Sequence, residues 1–296
     1  MKLISKTLGI AVTASALLSI QACTNSSNNN QGQTPQEPTQ EIQEAENTTF
    51  YLLPSPEDFF AFSAEKLKYS SVLLNATEKS SEYIDSRSQE LNFGIYCADM
   101  AYCAVNGQYQ DATKYLNTLK DMSAKLGLET VFTQALANRV DQYIQNKDSL
   151  KQIANDAYFD IKKALETQSK NATIAQISAG GWIECMYIIT NSIDNFSTTD
   201  INIRKIADEK VVFESLVAYL EQFKNKPGVQ ETIDIFKPVE EAYQKLEVVV
   251  TENNSVKTNS DAIVLGGNQK IEISEDNFNV LRTRIAEIRK MLTNNK

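Results

Sequence analysis

Residues 172–193, ATIAQISAGGWIECMYIITNSI, are apolar almost all round. A helix over this stretch has no wet face, so it must be buried on every side. Other helices have to surround it, each turning an apolar stripe inward and a polar face outward. Gln176, Glu184 and Asn191 interrupt the run and argue against a membrane span. The expected fold is all-α: a multi-helix bundle of antiparallel helical hairpins around this central segment.

The flanking sequence supplies such helices. Ser55-Pro56-Glu57-Asp58 reads as a helix start, with a serine cap, proline in the first turn and acids against the positive dipole end. That helix is expected to carry Phe59, Phe60, Phe62, Leu67 and Val72 to about residue 75. A second helix is expected over 88–105, ended by Asn106-Gly107. A third runs over 109–126, where Tyr109, Ala112, Leu116, Leu119, Met122 and Leu126 form one stripe before Gly127. Further helices are expected over 130–145, 148–169, 201–224 and 229–250, the last broken or kinked at Pro238.

The character then changes. Residues 251–260 are polar. Segments 262–265 and 270–273 flank Gly266-Gly267-Asn268 and read as a small β-hairpin, which must pack on helices to be stable. Ser274-Glu275-Asp276 opens a last helix with Phe278, Leu281, Ile285, Ile288 and Leu292 close to a heptad seam. Docking of that seam on the bundle is the expectation, and self-association is the alternative. The helical bundle thus covers 50–250, and 251–296 adds loop, hairpin and a packed C-terminal helix.

Lys2 and Lys6 precede a short apolar run over 8–20, and Ile20-Gln21-Ala22 precedes Cys23. The run is too short to span a bilayer, which takes about 20 residues. The arrangement resembles a bacterial lipoprotein signal over 1–22. It implies an acylated Cys23 that tethers the chain to a lipid bilayer, and more than one acyl chain makes such an anchor stable. Residues 24–49 contain no Lys or Arg, and Ile42 is their only large apolar side chain. They cannot bury enough surface to offset ordering entropy, so 23–49 reads as a disordered tether. Its root-mean-square reach is about 28 Å. Surface lipoproteins of Bacteroidetes often carry acids directly after the cysteine, whereas the first acid here is Glu37. That favours an outer-membrane anchor on the periplasmic face over the cell surface.

Two further resemblances concern the body. In AYCAVNGQYQDATKY, the residues Ala101-Tyr102, Gly107, Tyr109, Ala112 and Tyr115 resemble one tetratricopeptide-type hairpin. No second copy is evident, and a true solenoid needs about three repeats, so a converged hairpin is expected. LNFGIYCADMAY (91–102) and AGGWIECMY (179–187) are similar to segments of small helical lipoproteins of Bacteroidetes. That resemblance implies an all-α lipoprotein and carries no catalytic residues with it.

Charge and composition narrow the chemistry. The net charge is −9, and removal of Lys2 and Lys6 with the signal takes it to −11. This argues against nucleic acid and anionic lipid surfaces as partners. There is no histidine, which removes Ser-His and Cys-His nucleophile activation and histidine metal ligation. No cofactor and no metal site is implied. Cys97 and Cys103 are six apart and face different sides of a helix. Either could reach Cys185 in an oxidising compartment, and the alternative is three buried small hydrophobes.

Two carboxylates stand out. Asp99 lies mid-helix among Ile95, Tyr96, Tyr102 and Cys103, and Glu184 lies on the central apolar helix. A buried carboxylate must be hydrogen-bonded, paired or protonated. One reading is a structural network with a tyrosine hydroxyl, a backbone donor or Arg139 as partner. The other is a buried acid pair facing a ligand or cation pocket. Gly180-Gly181 reads as a notch for close helix approach, with Trp182 filling space beside it; the alternative is a ligand seated against the notch, with Trp182 and Arg139 joining Tyr96 and Tyr102 as binding candidates. Tyr96, Tyr102, Tyr109 and Tyr115 read as core, or as the lining of a binding groove. Asp148-Ser149-Leu150 resembles a short O-glycosylation motif of Bacteroidetes with Ser149 as acceptor, and Asp148 reads equally as a helix cap. The leading expectation is an envelope lipoprotein acting as a non-enzymatic binding or scaffolding module, with another envelope protein as partner. The alternatives are a carboxylate-based or metal-dependent enzyme using Asp99 and Glu184, and a small-ligand carrier.

Overall fold

The computed structural model describes residues 51, 53–61, 67–143, 146–250 and 269–294. The signal, Cys23, the tether, the expected strand 262–265 and Gly266-Gly267-Asn268 lie outside these. The described residues fall in the unit Thr49–Lys296. The helices are α1 (Pro56–Ala61), α2 (Ser86–Val105), α3 (Tyr109–Leu126), α4 (Gln134–Tyr143), α5 (Lys147–Thr167), α6 (Asn171–Asn191), α7 (Ile201–Glu221), α8 (Val229–Gln244) and α9 (Glu275–Thr293). Strands β1 (Glu247–Val250) and β2 (Gln269–Glu272) form a two-stranded antiparallel sheet. The fold is an all-α bundle with this one small sheet.

Two helices occupy the centre. Every α2 residue from Leu91 to Val105 is buried, and α6 is buried from Ile174 to Thr190 except at Tyr187. Their contacts advance together. Glu90 accepts from Thr173 at 2.8 Å, Gly94 abuts Ile177, and Asp99 neighbours Glu184. The central pair therefore runs side by side in the same direction. The backbones touch at glycines. A Cβ on Gly180 would lie 1.9 Å from the Leu91 carbonyl oxygen, and one on Gly94 would lie 2.0 Å from that of Ile177. Each glycine costs about 1 kcal/mol in helix propensity. The close approach it permits brings the carboxylates of α2 and α6 within reach of each other.

The remaining helices cover this pair. The larger part of the core lies between α6, α7, α8, α9 and one face of α2. The smaller part lies between α3, α5 and the opposite face of α2. The α2–α3 turn uses Gly107 at φ 68, and α3 ends on Gly127 at φ 73, both in the left-handed region that glycine tolerates. Phe278, Leu281, Ile285, Ile288 and Leu292 of α9 are all buried in the core, so the seam docks on the bundle and is not free to pair with a second copy. Among the described residues no helix is long and apolar enough to cross a membrane.

Four expectations are corrected. The first helix is described over Pro56–Ala61, and residues 67–70 are not helical, so it does not reach residue 75. Residues 67–85 instead form a strap across α2, irregular apart from short 3-10 turns at Ser71–Leu73 and Thr77–Glu82, and Val72 is 87% exposed. Ser70-Ser71-Val72 is a poor helix sequence, since serines compete for backbone groups and valine loses rotamers. The hairpin pairs β2 with Glu247–Val250, Glu247 opposite Glu272; the Val248-Val249-Val250 run favours strand and ends α8 early, while α8 runs through Pro238. The cap of α5 is Asn146, whose side chain accepts from Ser149 N–H, and Asp148 is not the cap. The fourth helix begins at Gln134, four residues later than expected.

Candidate functional site: a sealed carboxylate pair

Asp99 and Glu184 are 0% exposed. Glu184 is clamped by Arg289 of α9 through two bonds, Nε to Oε2 and Nη2 to Oε1, both 2.9 Å. This is the fork-on-carboxylate geometry that makes arginine pairs strong. Arg289 Nη2 also donates to the Leu73 carbonyl of the strap at 3.2 Å, and its guanidinium lies 4.6 Å from the Tyr187 ring centre. Asp99 Oδ2 accepts from the Asn75 N–H of the strap at 3.2 Å. The expected acid pair is thus real, and its cation is Arg289. Arg139 is elsewhere: it pairs with Asp156 at 2.6 Å on the half-exposed outer side of α4 and α5.

Charge counting fixes the protonation. Two carboxylates and one guanidinium would leave a net negative charge out of reach of water, which is costly. Asp99 Oδ1 finds no donor among its neighbours. A proton on Asp99 would neutralise the cluster. Burial and the Glu184 carboxylate push the Asp99 carboxyl well above its ordinary range, against the pull of Arg289. Burial alone would lower Arg289, but the adjacent Glu184 outweighs it and holds the guanidinium above its usual value.

The tyrosines close the site. Tyr102 donates to Lys68 O at 3.2 Å and accepts from Ser70 N–H at 3.1 Å. Tyr96 donates to Ala76 O at 2.8 Å and Tyr115 to Asn75 O at 2.9 Å. The groove suggested for Tyr96 and Tyr102 is therefore filled by the strap. Trp182 is core: its Nε1 donates to buried Glu209 at 3.0 Å, which Lys205 neutralises at 2.8 Å. Its ring packs 4.8 Å from that of Phe213. Cys97, Cys103 and Cys185 are free and buried, and burial raises all three thiols, so none is an activated nucleophile. Ser149 sits in the first turn of α5.

Among the described residues no cluster of three or more histidine, cysteine or carboxylate side chains is arranged to hold a metal ion. A cleft of about 640 Å³ opens between the 130–133 segment, α4 and α5, bordered by Arg139, Asp160 and Lys163 together with Val131, Leu136 and Ala164. A second, of about 370 Å³, lies between Thr198–Arg204 and β2. Neither touches Asp99 or Glu184. Comparison of the chain with protein-family models, curated proteins and solved structures finds no match in any of the three.

Sequence reasoning missed Arg289 and the strap. Arg289 lies 105 residues from Glu184 and shares its helix with Arg282, Arg284 and Lys290. Its place beside the buried seam residue Ile288 was the only local signal.

Proposed function

We propose that this chain is a lipid-anchored protein of the bacterial cell envelope whose helical body acts as a non-enzymatic binding or scaffolding module. The observation that carries the reading is the sealing of Asp99 and Glu184. A general acid or base must come within about 3 Å of its substrate. Here Arg289, Asn75 and the neighbouring carboxylate occupy that space. What remains for recognition is the outer, mostly polar helical surface. The signal-like residues 1–22 and Cys23 support the envelope address, and the late first acid, Glu37, supports a periplasmic face.

Mass spectrometry of the native chain tests the anchor, with an acylated N-terminus at Cys23 expected. A mature chain still beginning at Met1 would overturn it. Cross-linking in intact envelopes tests the module, with repeated recovery of one envelope protein expected. Recovery of no protein across replicates counts against it.

One observation favours a second reading, a small-ligand carrier. The cleft of about 640 Å³ has Arg139 on its border and space for a small molecule. Native mass spectrometry of gently purified chain would show a non-protein adduct that Arg139→Ala diminishes. A bare mass would retire this reading.

A further inference from the structure

The strap over 67–85 is gripped by its main chain. Asn75 N–H donates to Asp99, Leu73 O accepts from Arg289, and Lys68 O, Asn75 O and Ala76 O accept from Tyr102, Tyr115 and Tyr96. Its own side chains add little between 70 and 76. Val72 is 87% exposed, Ser71 and Ala76 are exposed, and Leu73 and Leu74 are only half-buried. Leu67 and Tyr83 anchor the two ends of the strap in the core and Asn75 is itself buried; the stretch between those anchors, held chiefly by polar bonds, belongs to the part of a fold that opens first.

Two of those bonds come from the carboxylate cluster. The groups facing Asp99 are Glu184 and Cys185 from α6, Arg289 from α9, Tyr115 from α3, and Tyr96, Cys97 and Cys103 from its own helix. The strap offers it only the Asn75 N–H. Arg289 faces Tyr83 and Tyr187 besides the two acids. Arg289 is the one cation among these groups, and Glu184 already occupies its fork. A second buried negative charge has no cation to meet it.

We propose that Asp99, Glu184 and Arg289 form a proton-dependent latch on the strap, closed while one proton is held between the two carboxylates and released when it is lost. Opening the strap removes Asn75 from Asp99 and Leu73 from Arg289 and admits water to the acids. In the open form water reaches Asp99 and it ionises in the ordinary carboxylate range. The closed form keeps its proton to higher pH. The closed form binds the extra proton, so acid tightens the latch and rising pH loosens it. Between the two ionisations the open-to-closed ratio rises about tenfold per pH unit.

Cys103 reports the opening. It is buried, and Tyr69 of the strap lies against it, Oη to Sγ 3.8 Å. The full chain is labelled with a dithiodipyridine reagent at stepped pH, and modification of Cys103 is located by peptide mapping. Asp99→Asn, which imitates the protonated acid, is run in parallel; an ionised Asp99 raises the Cys103 thiol and slows its reaction, so that direct effect opposes the expected rise and cannot mimic it. The wild-type to D99N rate ratio is expected to climb as much as ~100-fold from pH 5 to pH 7. A ratio that stays constant overturns the latch. A measurement on the wild type alone covers the case in which D99N does not fold. Its infrared spectrum at pH 7 is expected to keep a protonated-carboxyl band, and absence of that band overturns the proposal.

Discussion

Arg289→Met tests the account of the buried cluster most directly. The change removes two charge-assisted hydrogen bonds to Glu184 and one to Leu73 O while keeping an unbranched apolar side chain of similar reach. A charge pair at this separation interacts by roughly 4 kcal/mol at the effective dielectric that describes protein sites. Removing one partner of a buried pair costs about 3–5 kcal/mol, because the other charge stays buried without compensation. Folded domains have only about 5–15 kcal/mol in hand, so the variant sits near the edge of folding. Urea unfolding of the full chain at pH 7 is the assay, and the midpoint should fall by about 1 M or more, given m-values of about 1–3 kcal/mol per molar. Adding Glu184→Gln to Arg289→Met should restore more than half the loss, because the orphaned charge is gone. If Arg289→Met costs under about 1 kcal/mol, or if the two changes are additive, the pair does not hold the fold in the way described.

Other outcomes follow from the packing. Gly180→Ala places a methyl 1.9 Å from the Leu91 carbonyl; α2 and α6 must separate, and a loss of at least about 1–3 kcal/mol is expected in thermal melts. Leu281→Asp buries a charge in the α9 seam, so circular dichroism should report unfolding, and light scattering should show no dimer-to-monomer conversion. Arg139→Ala breaks only a half-exposed pair with Asp156 and should change stability by less than about 1 kcal/mol. Tyr102→Phe removes the bonds to Lys68 O and Ser70 N–H. It should cost about 1 kcal/mol and speed amide exchange in the strap before α2.

What the sequence makes legible is what depends on neighbours along the chain. The α3 stripe and its Gly127 stop predict Tyr109–Leu126, which is where the helix lies. The all-round apolarity of 172–193 predicts the buried centre, and the two acids on apolar helices predict buried carboxylates in need of partners. The cationic partner was not legible. Arg289 acts across 105 residues, and nothing local separates it from the other basic residues of α9. The strap was misread for a related reason. Its sequence is weakly helical, and what decides against helix is three tyrosine hydroxyls from α2 and α3 that bind its backbone. The β1 strand lost to a helix reading because α8 periodicity was extended through Val248–Val250 without weighing β-branching.

The long loop between Glu184 and Arg289 has a consequence for biogenesis. A nascent chain presents Glu184 105 residues ahead of the guanidinium that neutralises it, and Asp99 earlier still. At about 5–20 residues per second that interval lasts roughly 5–20 s. During it, α2 and α6 cannot close over their carboxylates without stranding charge in a dry interior. Maturation of this body therefore waits for α9, and any stalled or clipped product lacking that helix should be soft, hydrated at its middle and quickly cleared by proteases.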